Sequence, residues 1–325
     1  MKKVKIGVVV SSDNDISQQL SSFNENEDIE LVGVFFVVKR MRNKTLLKRY
    51  SQYSKLLKDC DAIFLSLGEE DSFPLLKEAV LRGKSVLYDE GPLFVRALDF
   101  SDLLSILSIA ISESSVFIEG CFVRKYSLPY VRLRSEVQKN FSNYGKLLSI
   151  NIDAALPKLT EEQSRFRLTE SRLHHDLDIV RSFADGEGYG ITCLDDEYDM
   201  YDFVGKFSNG IKFRVGATRG LSFDNYDEVV RLRFEKGEAE LRVNQDFIFN
   251  DFLNKEHRPI GRNYRKVFYD VSKSEHTQEV ITTNKENVYP QIIADFVKGI
   301  RDYEYREDRL AGQFAYFLMC CNASS

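Results

Sequence analysis

The chain has 325 residues, enough for two domains or one large one at about 100–200 residues each. Hydrophobic residues make up 43% and charged residues 29%, which excludes a disordered or fibrous chain. Fifty acidic residues against 45 basic ones leave a net charge of −5, a field that repels nucleic acid and anionic membrane, so neither is an expected partner.

Residues 5–10 (KIGVVV) form an apolar run of strand length, and residues 16–23 follow with helical spacing. Residues 29–38 (IELVGVFFVV) read as a strand, 46–57 as a helix, 62–67 (AIFLSL) as a strand and 72–82 as a helix. A short strand at 85–88 (SVLY), a helix at 93–111 and a strand at 115–122 complete the first part. Apolar strands alternating with amphipathic helices predict a parallel sheet covered on both faces, an α/β Rossmann-type domain over residues 1–120.

Residues 121–325 read as an α+β domain with a mostly antiparallel, open-faced sheet. Helical patterns at 128–144 and 161–184 precede alternating segments at 203–207, 211–217, 228–234 and 239–243, with turns at Ser208-Asn209-Gly210 and Glu235-Lys236-Gly237. Helices at 289–300 and 310–321 close the chain. The longest membrane-span candidate, residues 103–111, is far short of the roughly 20 residues a span needs. The N-terminus runs directly into a strand pattern without a signal-peptide cleavage site, so the expected location is the cytoplasm. The five cysteines, at 60, 121, 193, 320 and 321, form no C-x-x-C pair and read as reduced, packed thiols.

Several short stretches occur in a telling order. Asp61-Ala62-Ile63-Phe64-Leu65 is followed by Glu78-Ala79-Val80-Leu81-Arg82-Gly83-Lys84-Ser85-Val86-Leu87 and then Glu90-Gly91-Pro92. Arg124-Lys125-Tyr126 precedes Pro129, and Gly145-Lys146-Leu147-Leu148-Ser149-Ile150 comes next. His175-Asp176-Leu177-Asp178, Phe183-Ala184-Asp185-Gly186 and Phe207-Ser208-Asn209-Gly210 follow. In order and spacing the chain resembles the Gfo/Idh/MocA oxidoreductase family. The resemblance implies an NAD(P)-dependent dehydrogenase of a sugar, polyol or similar small hydroxylated molecule. It further implies a cofactor on the first domain, substrate against the open face of the second-domain sheet, and a homo-oligomer paired through that sheet.

The resemblance places the cofactor at Ser11, Ser12, Asp13, Lys39, Arg40, Leu67, Gly68 and Glu90. The family's three fingerprint glycines, however, fall on Val10, Ser12 and Asp15. Ser12 or Asp13 is a good N-cap for the following helix. An aspartate here opposes a diphosphate by about 3–4 kcal/mol per close contact before screening. Two readings stand: weakened or lost dinucleotide binding, or a loop that admits the cofactor by another path. Lys39 and Arg40 favour NADP over NAD, if either binds, and otherwise form a solvated turn.

Hydride transfer also needs a group to exchange the hydroxyl proton. In the family, the Glu-Lys-Pro lysine and the His-x-x-Asp histidine share that work. Gly91 takes the lysine's place here, which leaves His175 and Asp178 as the catalytic candidates. At i and i+3 on a helix, Asp178 could fix the imidazole tautomer, or His175 could simply cap or pack. A non-catalytic relative that keeps the fold is therefore the alternative. Arg124, Lys125 and Tyr126 are the substrate candidates, and Lys212, Arg214 and Arg219 could extend that polar pocket or form a wet sheet face. His174 with Asp178 lacks a third metal ligand, and the acidic stretch 195–202 lacks the calcium-loop spacing, so no metal is expected.

Overall fold

A computed structural model describes residues 2–11, 16–37, 47–67, 69–89, 108, 116–157, 168–184, 188–221, 226–245, 262–270, 275–283, 287–302 and 304–305. The chain divides into two compact units, Met1–Val123 with Asn287–Phe317, and Arg124–Glu286 with Leu318–Ser325. Sequence order puts the helix at 289–300 in the second domain; its residues belong to the first unit instead.

In the first unit, β1 (Val4–Val10), α1 (Ser17–Glu25), β2 (Ile29–Phe36), β3 (Arg49–Tyr50), α2 (Tyr53–Asp59), β4 (Ala62–Ser66), α3 (Glu69–Leu81), β5 (Ser85–Tyr88) and β6 (Ile118–Gly120) follow in order. The six strands are all parallel, in the order β3-β2-β1-β4-β5-β6. The apolar runs form strands because both faces are covered: Ile6, Val8, Ile63, Phe64, Val86 and Leu87 are fully buried. Each such side chain contributes about 1.5–3 kcal/mol by leaving water. The helical pattern at 46–57 resolves into the two-residue strand β3, paired with Val34 and Phe35, followed by the shorter helix α2. A two-residue strand leaves no period to read. The expected helices at 93–111 and 310–321 lie outside the described residues.

The helix α6 (Tyr289–Arg301) buries Ile292, Ile293, Phe296 and Val297 along one stripe. Phe296 stacks on Phe117 with ring centroids 5.8 Å apart. Gly299 lets the helix approach, because a Cβ there would lie 2.2 Å from the Phe117 ring. Asn287 Nδ2 donates to Ser22 Oγ on α1 (3.1 Å).

The second unit contains a 3₁₀ turn (Val123–Tyr126, which begins at the unit boundary), α4 (Leu128–Tyr144), β7 (Leu147–Pro157), a π-helical turn (Thr169–Leu173) and α5 (His174–Ala184). Strands β8 (Gly188–Glu197), β9 (Met200–Phe207), β10 (Lys212–Leu221), β11 (Tyr226–Phe234), β12 (Gly237–Gln245), β13 (Arg262–Asp270) and β14 (Glu275–Thr283) follow. They form an eight-stranded sheet, β14-β13-β12-β11-β7-β10-β9-β8, in which only the β7–β10 pairing is parallel. The α/β plus α+β architecture expected from the sequence is thus present, with a mixed, mostly antiparallel second sheet. The turn after β9 uses Gly210 at φ +90°, a left-handed conformation that a side chain would strain.

Alternation divides the second sheet into two faces. Ile150, Ile152, Phe203, Phe207, Phe213, Val215, Val230, Leu232 and Leu241 are buried on one. Helix α5 packs against β7 and β10, and α4 against β12 and β13. Among the described residues, no helix is long and apolar enough to cross a membrane.

Candidate functional site

In the first unit the strand order changes direction at β1 and β4, which makes their carboxyl ends the topological switch point, where ligands of such sheets bind. Ser11 follows β1, and its amide donates to Ser66 O at the end of β4 (3.2 Å). Leu67 is buried just beyond. Ser12, Asp13, Lys39, Arg40, Gly68, Glu90 and Gly91 lie outside the described residues. Helix α1 starts at Ser17 with Ile16 as its N-cap, which provides no side-chain cap. The expectation that Ser12 or Asp13 caps this helix is therefore corrected: the helix begins too far along the chain for either.

Three side chains at the switch point escaped the sequence reading. Asp89 follows β5, and its amide donates to Leu65 O (2.7 Å). Its Oδ2 accepts from Ser66 Oγ (3.0 Å) and from Gln19 Nε2 on α1 (3.2 Å). Gln19 is only 6% exposed. An acid at a strand end was visible in the sequence; its partner 70 residues earlier was not. Asp89 thus stands at the carboxyl end of β5, tied to β4 and to α1.

In the second unit, the π-helical turn leads into α5 and delivers Arg172, His174 and His175 close together; such turns often occur at functional sites. His175 is half-buried, its ring 4.0 Å from that of His174. Asp178, one turn on, is buried. Its Oδ1 faces Lys125 Nζ (3.4 Å) and Arg181 Nη2 (4.0 Å), and its Oδ2 is buried without a hydrogen bond among the described residues. Lys125 also lies 5.3 Å from the centroid of the Tyr126 ring. The 3₁₀ turn thus places Lys125 against the Asp of the His-x-x-Asp motif.

Its neighbour Arg124 enters a closed ring of charges on the buried side of the sheet. Arg124 pairs with Asp176 and, at 2.5 Å, with Glu228 on β11. Arg172 closes the ring through Nε to Asp176 Oδ2 (3.2 Å) and Nη2 to Glu228 Oε2 (2.5 Å). Tyr201 OH donates to Asp176 (2.5 Å), and Tyr130 OH donates to Glu228. Two cations and two carboxylates balance, as burial demands. Burial alone would favour the neutral acid at Asp176. The guanidiniums of Arg172 and Arg124, aided by the Tyr201 hydroxyl, outweigh it and hold the carboxyl below its ordinary value. Burial, and then the adjacent carboxylate, push the Tyr201 phenol well above its usual range.

The structure does not bring together the whole basic set. Arg214 points to the opposite face of the sheet, where Asp202 accepts from its Nε (2.8 Å) and Nη2 (2.9 Å). Lys212 shares that face by alternation. Arg219 is buried beside Asp199 (2.7 Å), in the turn that contains part of the acidic stretch 195–202. Arg214 and Lys212 therefore cannot extend a pocket with Arg124. Among the described residues no group of three or more His, Cys, Asp or Glu side chains could hold a metal ion. Cys60 and Cys121 are packed, and burial pushes the Cys60 thiol up to about 11, whereas Cys193 is exposed rather than packed.

Neither a sequence-family model nor a curated protein sequence matches the chain. Solved structures do. UDP-N-acetylglucosamine 3-dehydrogenase GnnA from Acidithiobacillus ferrooxidans superposes with a TM-score of 0.67 at 13% identity, covering 100% of this chain and 99% of that one. KijD10, a 3-ketoreductase from Actinomadura kijaniata solved with NADP and TDP-benzene, gives 0.68 at 14% identity, covering 97% and 95%. Both are Gfo/Idh/MocA-type oxidoreductases. The chain has their fold. At these identities it is the architecture that is shared, and the residues at the switch point and on α5 must argue for themselves.

Proposed function

We propose that the chain is a diverged NAD(P)-dependent oxidoreductase of a sugar or polyol-like molecule, with the dinucleotide on the first unit and the substrate on the second. The observation that carries this reading is the match, along nearly the whole chain, to a sugar-nucleotide dehydrogenase and an NADP-bound ketoreductase. His175 is the proton-exchanging group: its imidazole can both accept and donate a proton, and it stands at the start of α5, half-buried beside His174. Lys125 and Arg124 would orient hydroxyl groups only through the ion pairs they already make. Because Val10, Ser12 and Asp15 stand where the family fingerprint has glycine, the dinucleotide is held weakly, and NADP is favoured over NAD by Lys39 and Arg40. The protein would work in the cytoplasm and self-associate through the open sheet face.

Titration of the purified protein with NADPH and NADH, followed by nicotinamide fluorescence and thermal shift, tests this reading; the chain has no tryptophan to interfere. A shift with NADPH is expected. Absence of a shift with either cofactor at millimolar concentration overturns it.

A second reading, a non-catalytic relative that keeps the fold for ligand sensing or as a partner subunit, draws support from Gly91 at the lysine's place and from the internal pairing of Arg124 and Lys125. Measurable turnover of any sugar or polyol would refute it.

A further inference from the structure

We infer that Asp178 and Arg181 on α5, with Lys125 opposite, form a subsite for one hydroxyl of a polyhydroxylated ligand: the hydroxyl donates to Asp178 Oδ2 and accepts from Arg181 Nε. This inference rests on the reading of the second unit as the one that carries substrate.

The chemistry of the two atoms carries it. Among the described residues, Asp178 Oδ2 and Arg181 Nε are both buried without a hydrogen bond. They belong to side chains three residues apart on α5, hence neighbours on one face of the helix. The two side chains approach through Oδ1 and Nη2 at 4.0 Å, too long for a hydrogen bond. A carboxylate only accepts and a guanidinium only donates. Leaving both unmade in the interior is costly, and native folds keep few such atoms. A hydroxyl answers both at once, because it has a hydrogen to donate and lone pairs to accept with. A carboxylate or phosphate brings no hydrogen for Oδ2, and an ammonium brings no acceptor for Nε.

The other carboxylate oxygen is already engaged. Oδ1 faces Lys125 Nζ at 3.4 Å, and Arg134 Nη2 donates to the Lys125 carbonyl, which anchors the 3₁₀ turn. The Arg181 side chain is 15% exposed, against 6% for Lys125 and 2% for Asp178, so entry to Oδ2 is past the guanidinium. His175 stands one turn earlier on the same helix, about 4.5 Å back along its axis, a spacing comparable to a sugar ring.

The test is saturation-transfer NMR of the whole chain with D-glucose, D-galactose, D-mannose and D-glucitol, beside a thermal shift with NADPH. Asp178→Asn and Arg181→Lys are compared with the parent. Lys125 claims the amide oxygen of the Asn, so its NH2 falls at the Oδ2 position and cannot accept. Arg181→Lys keeps the charge and removes the fixed N–H. At least one polyol should bind the parent, and bind each variant at least about tenfold more weakly, the worth of one lost hydrogen bond, with the NADPH shift unchanged. Monodeoxy derivatives of that polyol should lose affinity at a single position, and this loss should vanish in Asp178→Asn. Unchanged polyol binding in both variants overturns the subsite and gives the two atoms to a bridging water. Full retention in Arg181→Lys also overturns it, because charge alone then suffices. A parent that shifts with NADPH and binds no polyol overturns the subsite and leaves the dinucleotide reading standing; a parent that binds neither overturns both. If Asp178→Asn fails to fold, the more exposed Arg181→Lys makes the same comparison, the deoxy series included.

Discussion

The two faces of the second-unit sheet use the same residue types in opposite ways. On the buried face, Arg124, Arg172, Asp176 and Glu228 close into a ring whose side chains are 16%, 9%, 0% and 1% exposed. On the open face, Asp202, Arg214, Asp153, Arg231 and Glu240 alternate in sign across five adjacent strands, with Arg214 and Arg231 each 3.3 Å from Asp153. These side chains are 22–48% exposed. Water screens the outer row, so each link is worth at most about 1 kcal/mol. The inner ring has lost its water, so removal of one member leaves an uncompensated charge. Burial, rather than residue identity, decides which charges the fold cannot do without. The outer row also makes the open face polar, so an oligomer built on it would be held by ionic, salt-sensitive contacts.

The largest effect should come from Asp176→Asn or Glu228→Gln, each expected to lower stability by about 3–5 kcal/mol in urea unfolding. A cost below 1 kcal/mol would erase the distinction between the faces. The same carboxylate sharpens the comparison through pH. The native Asp176 value lies below the unfolded one, so its stabilisation is complete above about pH 4 and is lost as pH falls through the lowered native value. Asp176→Asn should flatten that acid limb of the stability curve; an unchanged limb would show that another group carries it. Tyr201→Phe removes one hydrogen bond to the ring and should cost about 1–3 kcal/mol by thermal or urea unfolding. Arg214→Ala on the open face should cost at most about 1 kcal/mol, and 1 M salt should abolish the difference from the parent chain. A loss as large as that at Asp176 would break the comparison from the other side.

Legibility followed the range of the interactions. Strand β5 and helix α4 stand where a short apolar run and a helical spacing put them, because burial is written into neighbouring residues. Strands β13 and β14 were missed: RNYRKVFYD and EHTQEVITT carry polar residues at both parities, so no alternation stands out. At the candidate site, His175 and Asp178 were legible as a short motif. Their surroundings were not, since Arg124 meets Asp176 from 52 residues away and Glu228 from 104.

The sequence by itself determined most of the alternation of strands and helices in the first unit, and that Val10, Ser12, Asp15 and Gly91 stand where the family resemblance expects glycines and a lysine. Only the tertiary structure decided which charges are neighbours. It sent Arg124 into a buried ring and Arg214 to the open face, and it drew Asp89 onto Gln19. Secondary structure answers to the spacing of apolar residues along a few turns or strands, whereas the strength of a charge depends on how much water its folded neighbours exclude.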